Sequence, residues 1–239
     1  MSTRRAPADG TVLLTCGDAA SRVLPTSGAV ACDAVPARAE VDPLLDDATR
    51  LVVVGSDAAL AAVVVRLLRR ERLDLPVAFV PDVPSSEVAA VWGLPTDPAA
   101  ALDLALDGAA SPAPLVRDDR GGVVAGVHRV GPFEGVSFCD EHELVRGEAA
   151  GLAVRPDPAA DTRPGLGPGG GGVAVGLVQR RRFRRAREHT TFGRAATVGI
   201  RPGTVAVASR DGVDDAKPLE RRSWYRHTED WLLVRRDAR

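Results

Sequence analysis

Leu51-Val-Val-Val-Gly-Ser-Asp-Ala-Ala-Leu60 joins an aliphatic run to a Gly-Ser-Asp turn, and a long periodic segment follows it. Uninterrupted branched residues bounded by turn formers read as a strand buried on both faces of a parallel sheet. The periodic segment predicts a helix from about Ala58 to Arg70. Asp57 is placed to cap it, and Leu60, Val63, Val64, Leu67 and Leu68 recur at helical spacing on one face. Arg66, Arg69, Arg70 and Arg72 cover the other face. Working outward, Val12 to Thr15 and Val77 to Val80 are runs of the same kind. Strand, crossover helix and parallel strand make a βαβ unit. A second helix is expected from Ser86 to Trp92, stopping at Gly93. A third runs from Pro98 to Leu106, with Asp97 as cap, Pro98 in the first turn and Gly108 past the end.

After residue 112 the texture changes. Short valine-rich runs at Gly122 to Val130, Gly151 to Val154, Val173 to Val178, Ala195 to Ile200, Thr204 to Ala208 and Trp231 to Val234 are separated by Gly, Pro and Asp clusters, without helical period. The expected organisation is therefore an α/β nucleotide-binding-like domain over residues 1–112, Rossmann-like with a parallel sheet, followed by an antiparallel β-sandwich domain over 113–239. Asp161 to Gly172, ending in four consecutive glycines, reads as a long loop. It contains a formal G-x-G-x-x-G at Gly165, Gly167 and Gly170. A dinucleotide fingerprint needs a buried strand before it and a helix after it; here Pro164 and Pro168 break the approach and a valine strand follows.

The 239 residues are 45% hydrophobic and 26% charged, the composition of a soluble globular chain. A net charge of -1 supplies no basic field for nucleic acid, so no specific nucleic-acid partner is expected. Lys217 is the only lysine and Ala216 precedes it, which excludes a G-K-[ST] phosphate loop. Cys16, Cys32 and Cys139 are widely spaced and fit thiols in a reducing compartment better than a disulfide framework or a zinc site. The apolar stretch Thr11 to Cys16 is too short for a signal-peptide core, and Leu51 to Leu68 is interrupted by Gly55, Asp57 and Arg66. A cytoplasmic address is expected.

Three stretches of the N-terminal half resemble the catalytic domain of the diacylglycerol kinase and lipid kinase family, whose fold is shared with NAD kinases. Leu51 to Leu60 sits where that family runs a strand into a Gly-Gly-Asp-Gly-Thr turn; Gly55 and Asp57 match, while Ser56, Ala58 and Ala59 depart. Val77 to Pro95 has the frame of its strand, Pro-Leu-Gly-Thr-Gly-Asn-Asp turn, helix and Leu-Gly-Leu-Pro exit. There Pro81, Gly93, Leu94 and Pro95 match, Ser86 stands for Asn and Glu87 for Asp. Asp97 to Gly108 looks like the helix that follows. In the C-terminal half, Asp211-Gly212-Val213 resembles an Asp-Gly-Glu motif whose Asp is taken as the base for the lipid hydroxyl.

The resemblance implies an ATP- and magnesium-dependent phosphoryl transfer to a lipid hydroxyl in a cleft between the domains. Gly55, Ser56, Asp57, Ala58, Ser85 and Ser86 would then line the nucleotide, Asp57 and Glu87 the metal, and Asp211 would be the catalytic base. Such chemistry needs a cradle of backbone N–H groups and carboxylates for metal and proton. The cradle is eroded: Ala58 and Ala59 replace Gly and Thr, and Val83 and Pro84 replace Gly and Thr in the second loop. The competing reading is a non-catalytic relative, a pseudokinase, holding nucleotide, lipid or a protein partner in the same cleft. Each acidic residue also has a local explanation: Asp57 as a helix cap, Glu87 as a first-turn acid, Asp211-Gly212 as a turn dipeptide. The run Gln179-Arg-Arg-Arg-Phe-Arg-Arg-Ala-Arg187 reads either as a solvated edge or, through Arg180, Arg182 and Arg184, as a contact for anionic lipid that would bring the protein to the membrane periphery. A homo-oligomer is compatible with all of these readings.

Overall fold

The computed structural model describes residues 10–19, 28–164, 171–181 and 184–236, with the backbone alone at 180–181 and 184–187. The chain divides into two compact units, one of residues up to Ala113 together with Trp231 onward, the other Pro114–Asp230.

The first unit is built on β1 (Thr11–Cys16), β2 (Val30–Cys32), β3 (Arg50–Gly55), β4 (Val77–Pro81), β5 (Ala110–Ala113) and the last strand of the chain, β18 (Trp231–Val234). The sheet order is β2-β1-β3-β4-β18-β5. β1, β3 and β4 pair in parallel as the aliphatic runs predict, β2, which no such run marks, adds in parallel beside β1, and only the β18–β5 edge is antiparallel. Helix α1 (Asp57–Arg69) lies between β3 and β4, and helices α2 (Glu87–Trp92) and α3 (Pro98–Asp107) both lie between β4 and β5. Val52 and Val54 of β3 and Ala78 and Val80 of β4 share a core with Ala101, Leu102 and Ala105 of α3. The period of two turns Leu51 and Val53, both fully buried, to the opposite face. From α1, Leu60, Val63, Val64 and Leu67 are fully buried, each contributing roughly 1.5–3 kcal/mol. The Arg50 guanidinium closes the far end of α3, donating to the carbonyls of Ala105, Leu106 and Gly108 at 2.8–2.9 Å.

Placement of the last strand corrects the expected domain limits, which carried the second domain to residue 239. Trp231-Leu-Leu-Val234 pairs with β5 along its length and meets β4 at Leu233, so it completes the first sheet. The reason is burial: Trp231, Leu233 and Val234 are each no more than 1% exposed, and Trp231 packs edge-on against Trp92 with centroids 6.0 Å apart.

The second unit contains β6 (Val116–Asp118), β7 (Val123–Val124), β8 (His128–Val130), β9 (Phe133–Cys139), β10 (His142–Ala149), β11 (Gly151–Pro156), β12 (Val173–Arg181), β13 (Arg184–Gly193), β14 (Ala195–Ile200), β15 (Ala208–Arg210), β16 (Val213–Asp214) and β17 (Arg221–Arg226). They form two six-stranded sheets, β10-β9-β14-β17-β6-β7 and β13-β12-β11-β8-β15-β16, in which every pairing is antiparallel. Phe133, Val198 and Trp224 of the first sheet and Leu152, Val154, Val173 and Val175 of the second belong to one apolar cluster, so the two sheets share a core. Thr204 to Ala208 is not the strand its valines suggest. Only Ala208 begins one, and Val205 and Val207 are 69% and 53% exposed. The G-x-G-x-x-G at Gly165 to Gly170 lies outside the described residues.

Candidate functional site

The candidate residues of the first unit gather where β3 enters α1 and where the chain after β4 enters α2. Gly55 ends β3, and a Cβ there would stand 2.9 Å from the Cβ of Cys16, so this close approach requires glycine. Ser56 is the N-cap of α1: its hydroxyl accepts from the amide of Ala59 at 3.2 Å. The capping expected of Asp57 therefore falls one residue earlier. Asp57, in the first turn, turns its carboxylate to the neighbouring helix instead. Its Oδ1 accepts from the Ser86 hydroxyl at 2.5 Å, and its Oδ2 accepts from the amides of Glu87 at 2.8 Å and Val88 at 3.3 Å. Ser86 in turn caps α2 by accepting from the Ala89 amide at 3.0 Å. Thus Asp57, Ser86 and Glu87, which are 29 and 30 residues apart in sequence, meet at one helix N-terminus, where a negative charge is favoured. Ser86 is buried, Glu87 opens α2 half-buried, Ser85 is exposed, and Ala58 lies in the first turn of α1.

Asp211 belongs to the second unit. It and Gly212 form the two-residue loop between β15 and β16, both with positive φ, 45° and 87°. That is the backbone of a type I′ turn, which Asp-Gly suits. The carboxylate points inward. Oδ1 accepts from the Gly126 amide at 2.7 Å and Oδ2 from that of Ala125 at 3.2 Å, while Nε2 of His128 lies 3.5 Å from Oδ2; both side chains are 1% exposed. On its other side His128 Nδ1 accepts from the indole N–H of Trp224 at 3.0 Å. With Nδ1 an acceptor, neutral imidazole carries its proton on Nε2, facing Asp211. No sequence motif links His128 to Trp224. Their 96-residue separation offers no local signal of this chain of contacts.

The arginine run falls on the β12–β13 hairpin, where Arg181 pairs with Arg184 and β13 is the outer strand of its sheet. Arg182 and Phe183 lie outside the described residues, as do the side chains of Arg180 and Arg184. A magnesium ion held mainly by the protein does not fit the donor set. Among the described residues no three His, Cys, Asp or Glu side chains group to hold a metal, and Asp57 already accepts three hydrogen bonds. Among the described residues no helix is long and apolar enough to cross a membrane.

No family model matches the chain, and no curated protein matches it. Solved structures do. A diacylglycerol kinase from Bacillus anthracis str. Sterne is 11% identical, with 97% of this chain and 99% of that one covered and a TM-score of 0.65. An NAD kinase from Archaeoglobus fulgidus, in complex with ATP, is 13% identical, with 95% and 94% covered and a TM-score of 0.55. The chain has the fold that these diacylglycerol and NAD kinase structures share.

Proposed function

We propose that this chain is a nucleotide-binding protein of the diacylglycerol kinase fold that does not transfer a phosphoryl group. The observation that carries the reading is the engagement of Asp57. A carboxylate intended for a metal needs free lone pairs facing the ion, yet this one accepts a hydroxyl and two amides at the start of α2. It supplies from within the protein the negative charge that a phosphate would bring to that helix end. Asp211 is spent in the same way, on the amides of Ala125 and Gly126. Nucleotide is the ligand class of choice because a solved neighbour of this fold holds ATP and because Gly55 and Ser56 keep the tight strand-to-helix entry.

The second reading is an ATP- and magnesium-dependent lipid kinase with Asp57 and Glu87 beside the metal and Asp211 as base. Its support is that acidic residues persist at all three positions. Two measurements on the full chain separate the readings. ATP should raise the melting temperature with or without magnesium, since a ligand at 100 times its dissociation constant stabilises by about 2.7 kcal/mol. Incubation with γ-labelled ATP and diacylglycerol in mixed micelles should yield no labelled lipid. Labelled lipid that disappears in Asp211→Asn would establish the kinase, and no thermal shift at millimolar ATP would remove the nucleotide.

A further inference from the structure

We propose that Cys16 and Cys32 form a reversible disulfide in the folded chain, making the carboxyl ends of β1 and β2 a site of redox modification. The two residues are direct partners in the parallel β1–β2 ladder, so their side chains lie on one face of the sheet. Neighbouring strands place paired residues about 4.8 Å apart, inside the span of roughly 4.4–6.8 Å that a disulfide bridges. The two sulfurs are already 3.1 Å apart. Bond formation therefore needs side-chain rotation and no rearrangement of the strands.

The environment assigns different tasks to the two thiols. Cys16 is buried and its thiol is pushed up, first by burial and then by its hydrogen bond to Cys32. Cys32 is half-exposed; burial also raises its thiol, but the hydrogen bond from Cys16 acts in the opposite direction and favours its thiolate. Cys32 is thus the group that meets an oxidant. With a low-molecular-weight disulfide such as oxidised glutathione, the Cys32 thiolate attacks one sulfur, the glutathione S–S bond breaks, and one glutathione thiolate leaves and takes up a proton. Cys16, losing its proton to solvent, then attacks the Cys32 sulfur of the mixed disulfide and expels the second glutathione. The protein loses two electrons and two protons, and one glutathione disulfide becomes two thiols. Cys139, 1% exposed on β9, has no cysteine within bonding reach among the described residues.

The bond would staple β2, a three-residue strand at the edge of its sheet, whose one neighbour among the described residues is β1. It would also fix the Cys16 side chain against Gly55, where β3 turns into α1.

The test uses the full native chain equilibrated in glutathione buffers of rising oxidised fraction, quenched by acid, and digested without reduction. Arg22 and Arg38 let trypsin separate the two cysteines. The expected product is one cross-link between the peptides carrying Cys16 and Cys32, an intact mass lower by two hydrogens, and full reversal by dithiothreitol. Cys16→Ser should instead accumulate glutathione on Cys32. Three free thiols in native protein under oxidising buffer would overturn the proposal, as would glutathione on Cys32 of the wild-type chain without a cross-link. A cross-link that appears only in urea would do the same. The wild-type result decides even if the serine variant does not fold.

Discussion

At Asp211 a residue with a branched polar side chain occupies left-handed backbone, a conformation that Asp and Asn tolerate better than other residues. Its two oxygens satisfy two amides beside the β7–β8 segment. Asp211→Ala strands both amides and adds left-handed strain, so it should cost about 2–4 kcal/mol, read from the urea midpoint. Asp211→Asn keeps the turn and one acceptor and should cost about half as much. Equal stability in all three proteins would show that the carboxylate is held for chemistry and not for the turn. Cys139 makes a second prediction. Burial, followed by the carboxylate of Asp140, pushes its thiol from 9.0 up to about 11. A thiol raised in the folded state favours folding below its unfolded value, and that contribution is lost as pH climbs through the folded one. Wild-type protein should therefore lose stability faster than Cys139→Ala between pH 9 and pH 11. Parallel profiles would remove the assignment.

At the scale of elements, legibility follows burial pattern. β3, α1 and β4 were readable because a strand buried on both faces is an unbroken aliphatic run and a half-buried helix shows its period. The cap of α3 is readable from Asp97, whereas Ser86, expected as the first residue of α2, is its cap. In the second unit β9, β10, β13 and β17 escaped. His142-Glu-Leu-Val-Arg-Gly-Glu-Ala149 exposes half of its residues and Arg221-Arg-Ser-Trp-Tyr-Arg226 buries the charged Arg222 on the same face as Trp224, so polarity hides the strand. The arginine run was legible as charge and not as a hairpin. In the lipid-contact reading, the six arginines between Arg180 and Arg187 would contribute roughly 1 kcal/mol each at an anionic bilayer. Vesicles containing phosphatidylserine should sediment the protein at low salt and release it toward 1 M, where the Debye length is about 3 Å. Arg180, Arg182 and Arg184 changed together to Ser should abolish sedimentation without altering the melting temperature. Wild-type protein that ignores anionic vesicles at low salt would leave the run a solvated edge.

For the whole molecule, what sequence order concealed is that the first unit is discontinuous. The terminal Trp-Leu-Leu-Val followed a β-rich half and was read with it, yet its side chains fill the sheet begun more than 200 residues earlier, beside Val77 and Trp92. An internal strand supplied from beyond the second unit makes the stability of the first unit depend on residues that follow the second. Trp231 is 1% exposed, and replacing such a side chain by Ala costs about 3–5 kcal/mol. The loss should appear where the side chain packs. In Trp231→Ala, amide hydrogen exchange should accelerate in β3, β4 and β5, while β11 and β12 exchange as in the wild type. Trp224→Ala, which opens the core of the second unit beside His128, should produce the reverse pattern. Faster exchange in β11 and β12 on changing Trp231, with β3 and β4 unmoved, would return the last strand to the second unit and restore a single boundary near residue 113.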